Sequence, residues 1–388
     1  MKIVVAFDSF KGCMTAKEAC HTAAAAIRDT KPDAQVIECP LSDGGEGLME
    51  CVEERLKVKK VKVKVHDPLM NVIDANYLIS DNGDVAYMEM AAASGLTLVP
   101  PDKRNPMIAT TYGVGDMIVH AMSMGCKEIV MGIGGSATCD GGKGMIKAIA
   151  ESEYFKTLIH ISDGDTLWQR LKSQHLLPKI TVACDVINPL FGKNGAAYVF
   201  APQKGATAQQ VEILDNDLRA FAQQTESQGL ASPELALSPG AGAAGGLGYG
   251  LMAYLGAELK SGIDIILNIC NFDTMIMDAD IIITGEGKSD RQTLMGKVPY
   301  GVLRRVKALK RDDSHMPQVH LLSGAIDDPD HILSQHFDSV RSINKGDTRP
   351  LSVLTQKDVA MENIIAFTRR NVPFLQSVVA YPTPLWYK

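Results

Sequence analysis

The sequence predicts a two-domain α/β protein: a doubly wound parallel sheet formed by both ends of the chain, with a second α/β domain inserted. Three observations carry that prediction. At 388 residues the chain exceeds one ordinary core, given about 150 residues per domain. Short β-branched apolar runs alternate with helical patterns at both ends. The middle has a different texture, with a hairpin signal and more scattered strands. The domains are accordingly drawn at 1–65 plus 280–388, and at 66–279.

Residues 2–7 (KIVVAF) form the first strand, and an alanine-rich helical pattern runs from Thr15 to Arg28. Gln35–Cys39 is a second strand and Leu48–Leu56 a helix. Lys57–Val65 alternates Lys with Val, the period-2 mark of a half-exposed strand. Ala75–Ile79 and Val85–Glu89 flank Asp81-Asn82-Gly83, a hairpin turn. Glu128–Gly132, Ile180–Cys184 and Ala196–Phe200 are strand-like, and Ala208–Gln224 is an exposed amphipathic helix. Ala279–Thr284 is a fully apolar run of buried parallel-strand type. Val302–Lys310 is helical and Gln318–Ser323 is the last strand.

Composition narrows the function. The chain is 46% hydrophobic and 22% charged, as an ordinary globular protein is. A net charge of −6 leaves no overall basic field for nucleic acid or an anionic membrane, so attraction for an anionic substrate must be built locally. The opening apolar run ends at Asp8, short of a signal-peptide core of about seven residues, and no window reaches the roughly 18 apolar residues of a membrane span. The eight cysteines show no CxxC or metal-ligand spacing, which fits reduced thiols in a cytoplasmic protein.

The chemistry gathers in four glycine-rich loops that follow predicted strands. They are Asp8-Ser9-Phe10-Lys11-Gly12, Ser42-Asp43-Gly44-Gly45-Glu46-Gly47, Gly134–Gly142 (GGSATCDGG) and Gly285-Glu286-Gly287-Lys288-Ser289-Asp290. In open α/β sheets, ligands bind beyond the carboxyl ends of strands, where unpaired N–H groups meet anions. Glycine admits a close ligand, hydroxyls donate, and carboxylates hold a metal or a substrate hydroxyl. Two tempting matches fail. Gly240–Gly245 satisfies GxGxxG but follows no strand, and Gly285–Ser289 lacks the upstream glycine of a phosphate-binding P-loop because Ile282 stands there. There is no GxSxG elbow and no HExxH; His21 and His120 lie in helical patterns as surface or core residues.

Nine separated motifs then occur in order: DSFKG (8–12), PLSDGGEG (40–47), MEMAAASGL (88–96), TTYGVG (110–115), GIGGSATCDGG (132–142), CDVINPLFGKNGA (184–196), FAPQKGA (200–206), GAGAAGGLGYGL (240–251) and ITGEGKSDRQTLMGKVPYGV (283–302). From Met1 to about Ala325 this series resembles the bacterial glycerate kinases, of the type that usually makes 2-phosphoglycerate. The resemblance implies ATP-dependent, Mg²⁺-assisted phosphorylation of D-glycerate. It also implies a flavodoxin-like domain built from both ends, an inserted α/β domain, and an active site in the cleft between them. The chain departs from the family pattern at Cys139, where Asn is expected, at Lys143, where a small residue is expected, and over 151–176.

Phosphoryl transfer needs positioning, charge neutralisation and removal of a hydroxyl proton. Lys11 is assigned an anion contact, to phosphate or to the glycerate carboxylate. Asp43 and Asp185 are candidates for metal or substrate hydroxyl. Asp290 with Glu286 is the candidate pair for base and metal, with the base role given to Asp290. Gly134, Gly135, Ser136 and Thr138 cradle phosphate through N–H and hydroxyl groups. Asp8, Ser9, Gly44, Gly45, Asp140, Asn188, Gly285 and Gly287 complete the binding set, and Gln292, Thr293 and Lys297 close the site. The expected partners are D-glycerate and ATP, without nucleic acid or membrane; a homodimer is allowed for. The rival readings are a kinase of another small hydroxy acid and a non-catalytic nucleotide- or anion-binding protein.

Overall fold

The computed structural model describes residues 1–10, 12–44, 47–158, 167–309 and 316–371. Lys11 and Gly45 lie outside the described residues, as does part of the divergent 151–176 stretch. In chain order the first strands are β1 (Lys2–Phe7), β2 (Gln35–Glu38), β3 (Val58–His66), β4 (Val72–Ser80) and β5 (Val85–Glu89). Next come β6 (Glu128–Gly132), β7 (Lys179–Ala183), β8 (Glu258–Lys260) and β9 (Ile281–Gly285). The last are β10 (Lys288–Ser289), β11 (Gln318–Ser323), β12 (Ala325–Ile326) and β13 (Ser339–Ser342). They fall into two compact units, one of residues 1–42 and 266–388 and one of residues 43–265.

The first unit carries a five-stranded sheet in the order β13-β11-β9-β1-β2, parallel throughout. Its central strands are apolar because both faces are covered: residues 3–7 of β1 are fully buried, as are all five of β9. Ile3, Val5, Phe7, Ile281 and Ile283 pack with Ala19, Ala23 and Ile27 of the helix Ala16–Thr30, and with Ala360 and Ile364 of the helix Lys357–Asn371. Alternate residues such as Val4 and Ile282 turn to the opposite face and are equally buried. Thr15 and Glu18 close a capping box at the start of the first helix, satisfying two otherwise orphaned N–H groups.

The second unit carries a six-stranded sheet in the order β3-β4-β5-β6-β7-β8. β3, β4 and β5 are antiparallel neighbours, whereas β5 through β8 run parallel. Lysines protect the exposed edge strand: Lys62 and Lys64 of β3 both pair with Asp74 on β4. The core is built on β6 and β7 with the helices Tyr112–Ser123, Lys143–Glu151, Ala208–Ser227 and Ala243–Leu255.

Four expectations need correction. Lys57–Val65 is a strand, but it pairs with β4 in the second unit, so the boundary falls after residue 42 rather than 65. The second boundary falls after 265 rather than 279. Ala196–Phe200 is a helix, not a strand; five apolar residues cannot be told apart by periodicity, and Ala196 and Ala197 are wholly buried against other helices. The helix expected at 302–310 begins earlier, at Val298, because Pro299 sits in its first turn, where a missing N–H costs nothing. All eight cysteines are free thiols, and six of them are buried. Among the described residues no helix is long and apolar enough to cross a membrane.

Candidate active site

In the first unit, β1, β9 and β11 lie side by side and parallel, so the loops after them leave the same edge of the sheet. The Asp8 N–H donates to the Gly285 carbonyl at 2.9 Å, and one Asp8 carboxylate oxygen accepts the Ser9 N–H at 2.6 Å. Gly285 is required by packing: a Cβ there would lie 1.7 Å from the Leu322 carbonyl of β11. The loop beyond is stitched down by the short parallel pair β10–β12 and by a 2.7 Å bond between the Ser289 and Ser323 hydroxyls.

Glu286 is the internal post of this loop. Its Oε1 accepts the hydroxyls of Thr293 at 2.6 Å and Ser289 at 3.0 Å, and Lys297 Nζ stands 3.5 Å from Oε2. That carboxylate is buried and already held by three partners. Asp290 is placed differently. One oxygen caps the short turn Arg291–Met295 by accepting the Gln292 N–H at 2.9 Å, while Lys288 lies 3.7 Å from the other. Its side chain stays 23% exposed against 7% for Glu286, so Asp290 is the more open of the two. Gln292 is exposed and Thr293 is buried on Glu286.

In the second unit, the parallel strands β5 to β8 present a second set of loops. Asp185, just after β7, accepts the Gly262 N–H at 3.0 Å. A Cβ built on Gly262 would fall 1.8 Å from the Asp43 carbonyl oxygen and 2.9 Å from Asp185 Oδ2, so Asp43, Gly44 and Asp185 form one cluster. Burial pushes the Asp185 carboxyl up to about 6, with the Asp43 and Asp264 charges adding to the effect. Hard oxygen donors crowded in this way suit a divalent cation that completes its shell with water and phosphate oxygens. Among the described residues, no three His, Cys, Asp or Glu side chains are arranged as an all-protein metal cage. Glu286, the third candidate ligand, belongs to the other unit.

The loop after β6 is anchored at each end. The Leu96 N–H donates to the Gly135 carbonyl and the Ala137 N–H to the Ser94 carbonyl. Asp140 accepts four donors: the Thr111 N–H and hydroxyl at 2.9 Å each, and the Gly142 and Gly144 N–H groups at 3.0 Å each. Its carboxylate is thus spent inside the loop. The Gly240–Gly245 stretch also serves this loop, since a Cβ on Gly245 would lie 2.0 Å from the Thr138 carbonyl. Its glycines allow backbone-on-backbone packing, and no strand precedes them. The Asn188 amide donates to the Asn194 carbonyl at 2.8 Å and ties its own turn. The departures at Cys139 and Lys143 do not open the loop: Cys139 is buried and pushed up to about 11 by desolvation, and Lys143 stands over the Phe221 ring.

One residue of this loop system escaped the sequence reading. Lys204, in the short turn Pro202–Lys204, is only 2% exposed and donates to Ser136 Oγ at 2.6 Å and the Thr138 carbonyl at 2.7 Å. The available signal was a lysine lodged in the apolar motif FAPQKGA.

Comparison with known proteins places the whole chain in a family. The model of the glycerate kinase family matches residues 3–371. "Glycerate 2-kinase" from Escherichia coli (strain K12) is 40% identical over 352 residues, covering 88% of this chain and 90% of the relative. "Glycerate kinase" from Halalkalibacterium halodurans is 42% identical over 313 residues, 79% of this chain and 82% of the relative. A crystal structure from Salmonella typhimurium LT2, provisionally named glycerate kinase 2, superposes with a TM-score of 0.76 at 37% identity, covering 97% of this chain and 98% of that one. The chain belongs to the glycerate kinase family.

Proposed function

We propose that the protein transfers the γ-phosphoryl group of ATP to a hydroxyl of D-glycerate, with Mg²⁺, and that 2-phosphoglycerate rather than 3-phosphoglycerate is the product. The observation that carries this reading is the end-to-end family match, supported by carboxylates, hydroxyls and lysines on loops at the carboxyl ends of parallel strands in each sheet. In the first unit, Asp290 accepts the proton of the attacking hydroxyl as the new O–P bond forms and the bond to the ADP oxygen breaks. Glu286 and Lys297 hold that loop in shape. In the second unit, the N–H groups and hydroxyls of Gly134–Thr138 cradle an oxyanion. Asp43 and Asp185 would hold the metal, whose charge neutralises phosphate oxygens when it is bound.

³¹P NMR of the wild-type protein with ATP, Mg²⁺ and D-glycerate tests this directly. The expected result is a phosphomonoester resonance assigned to the 2-position, growing in step with ADP. Inorganic phosphate and ADP alone would overturn the reading. Faster turnover of L-glycerate, glycolate or tartronate would move the substrate to another hydroxy acid.

A further inference from the structure

The glycine-rich loop of the second unit holds an unusual balance of donors and acceptors. Lys204 is buried, and among the described residues no carboxylate lies within ion-pair distance of it. Asp140, the acid whose charge reaches it, already accepts four hydrogen bonds. A buried ammonium without a counter-charge is costly and is kept only for a reason. It has three N–H donors, and two of them are used, on Ser136 Oγ and the Thr138 carbonyl.

The bond to Ser136 also has a directional consequence. Because Ser136 Oγ accepts from Lys204, its own proton must point elsewhere, and no acceptor for it stands among the described residues. The Thr138 hydroxyl beside it is fully buried and likewise has no partner among them. One turn therefore collects a spare N–H, two spare O–H groups and a net positive charge. This is complementary to an oxyanion and to little else.

We propose that Lys204 is a positioning residue for phosphoryl transfer: it fixes the Ser136–Thr138 turn and orients the Ser136 hydroxyl as a donor to an oxyanion of the bound substrates. The inference rests on the kinase reading given above. A phosphate oxygen of the nucleotide and the glycerate carboxylate offer the same chemistry, and the kinetics of the two substrates separate them.

The test is steady-state kinetics of the full chain as wild type, Ser136→Ala, Lys204→Met, Lys204→Arg and the Ser136→Ala/Lys204→Met double variant. A charge-assisted hydrogen bond of this kind predicts a loss of about 10- to 100-fold in kcat/KM for Ser136→Ala. The loss falls on the KM for ATP if the ligand oxygen is a phosphate, and on the KM for D-glycerate if it is the carboxylate. Lys204→Met should lose at least as much, Lys204→Arg should recover part of it, and the double variant should be no worse than Lys204→Met. Multiplying losses in the double variant would overturn the coupling. Wild-type kinetics for Ser136→Ala would overturn the proposal even if Lys204→Met fails to fold. If the wild type does not phosphorylate D-glycerate, the kinase reading fails. Thermal-shift titration with ATP·Mg²⁺ and with D-glycerate then decides this inference alone: unchanged apparent Kd values for both ligands in Ser136→Ala reject it.

Discussion

Lys204 titrates against its surroundings rather than against a partner carboxylate. Burial pulls its ammonium down to about 8, with the nearby Cys139 and Asp140 opposing the shift. Those two are the ionisable groups that face it; Cys139 stays a neutral thiol, and Arg104 meets the following Gly205 through its backbone. The sign of the stability effect follows from proton counts. Between about 8 and the ordinary lysine value the folded chain has released this proton and the unfolded chain has not, so this group's contribution to stability rises with pH. Below about 8 both states are protonated and the burial penalty is fully present. Activity should run the other way, because the Ser136 hydroxyl is oriented by the charged form. The prediction is a kcat/KM that falls as pH rises through about 8, against a profile in Lys204→Arg that stays flat there, since arginine keeps its charge. A wild-type profile that rises through the same window would mean that the neutral amine is the working form.

At the scale of elements, the strands and loops were legible where local pattern and tertiary burial agree. Residues 3–7 are apolar, with Ile3, Val4 and Val5 β-branched, and Val319, Leu321 and Leu322 are apolar because both faces of the sheet are covered; the structure returns the expected strand bounds, 2–7 and 318–323. The glycine loops were legible as loops, but the duties of single side chains within them were not. Asp140 and Glu286 look like free carboxylates in sequence; in space one is consumed by four donors and the other by three partners. The lysine in FAPQKGA could be seen in sequence, but its partners could not, because they lie 68 and 66 residues away. Gly285 shows a case in which the loop chemistry and the sheet cannot be separated. A methyl group there would sit 1.7 Å from the Leu322 carbonyl, so Gly285→Ala must push β9 and β11 apart. The expected cost is on the order of 3 kcal/mol. It should be seen as a lowered urea midpoint with an unchanged slope, together with loss of activity as the Glu286–Asp290 loop shifts. A midpoint unchanged within about 0.5 kcal/mol, the range of an ordinary surface substitution, would show that the strands tolerate the extra atom.

At the scale of the whole molecule, the chain's order and its architecture differ. Strand β9 sits between β1 and β11, so the five-stranded sheet needs both ends of the polypeptide before its centre exists. Sequence patterning hints at this through similar β–α rhythms at both ends, but it cannot say which sheet the Lys/Val strand at 58–66 will join. That pairing is decided by β4, across nine residue pairs. The second unit is continuous, from residue 43 to residue 265, and has its own core. Its two ends are also close together: the Asp43 carbonyl faces Gly262 across the space of a missing Cβ. Adjacent ends and a self-contained core are the conditions under which a segment can be excised and still fold. Residues 43–265 expressed alone should therefore show native-like far-UV circular dichroism and a single cooperative thermal transition. Residues 1–42 and residues 266–388, expressed separately, should show neither, because each holds only part of one sheet. If 43–265 melts without a cooperative transition, its core depends on the rest of the chain and the division into two self-sufficient units is wrong. If 266–388 folds alone, β9 does not need β1 beside it.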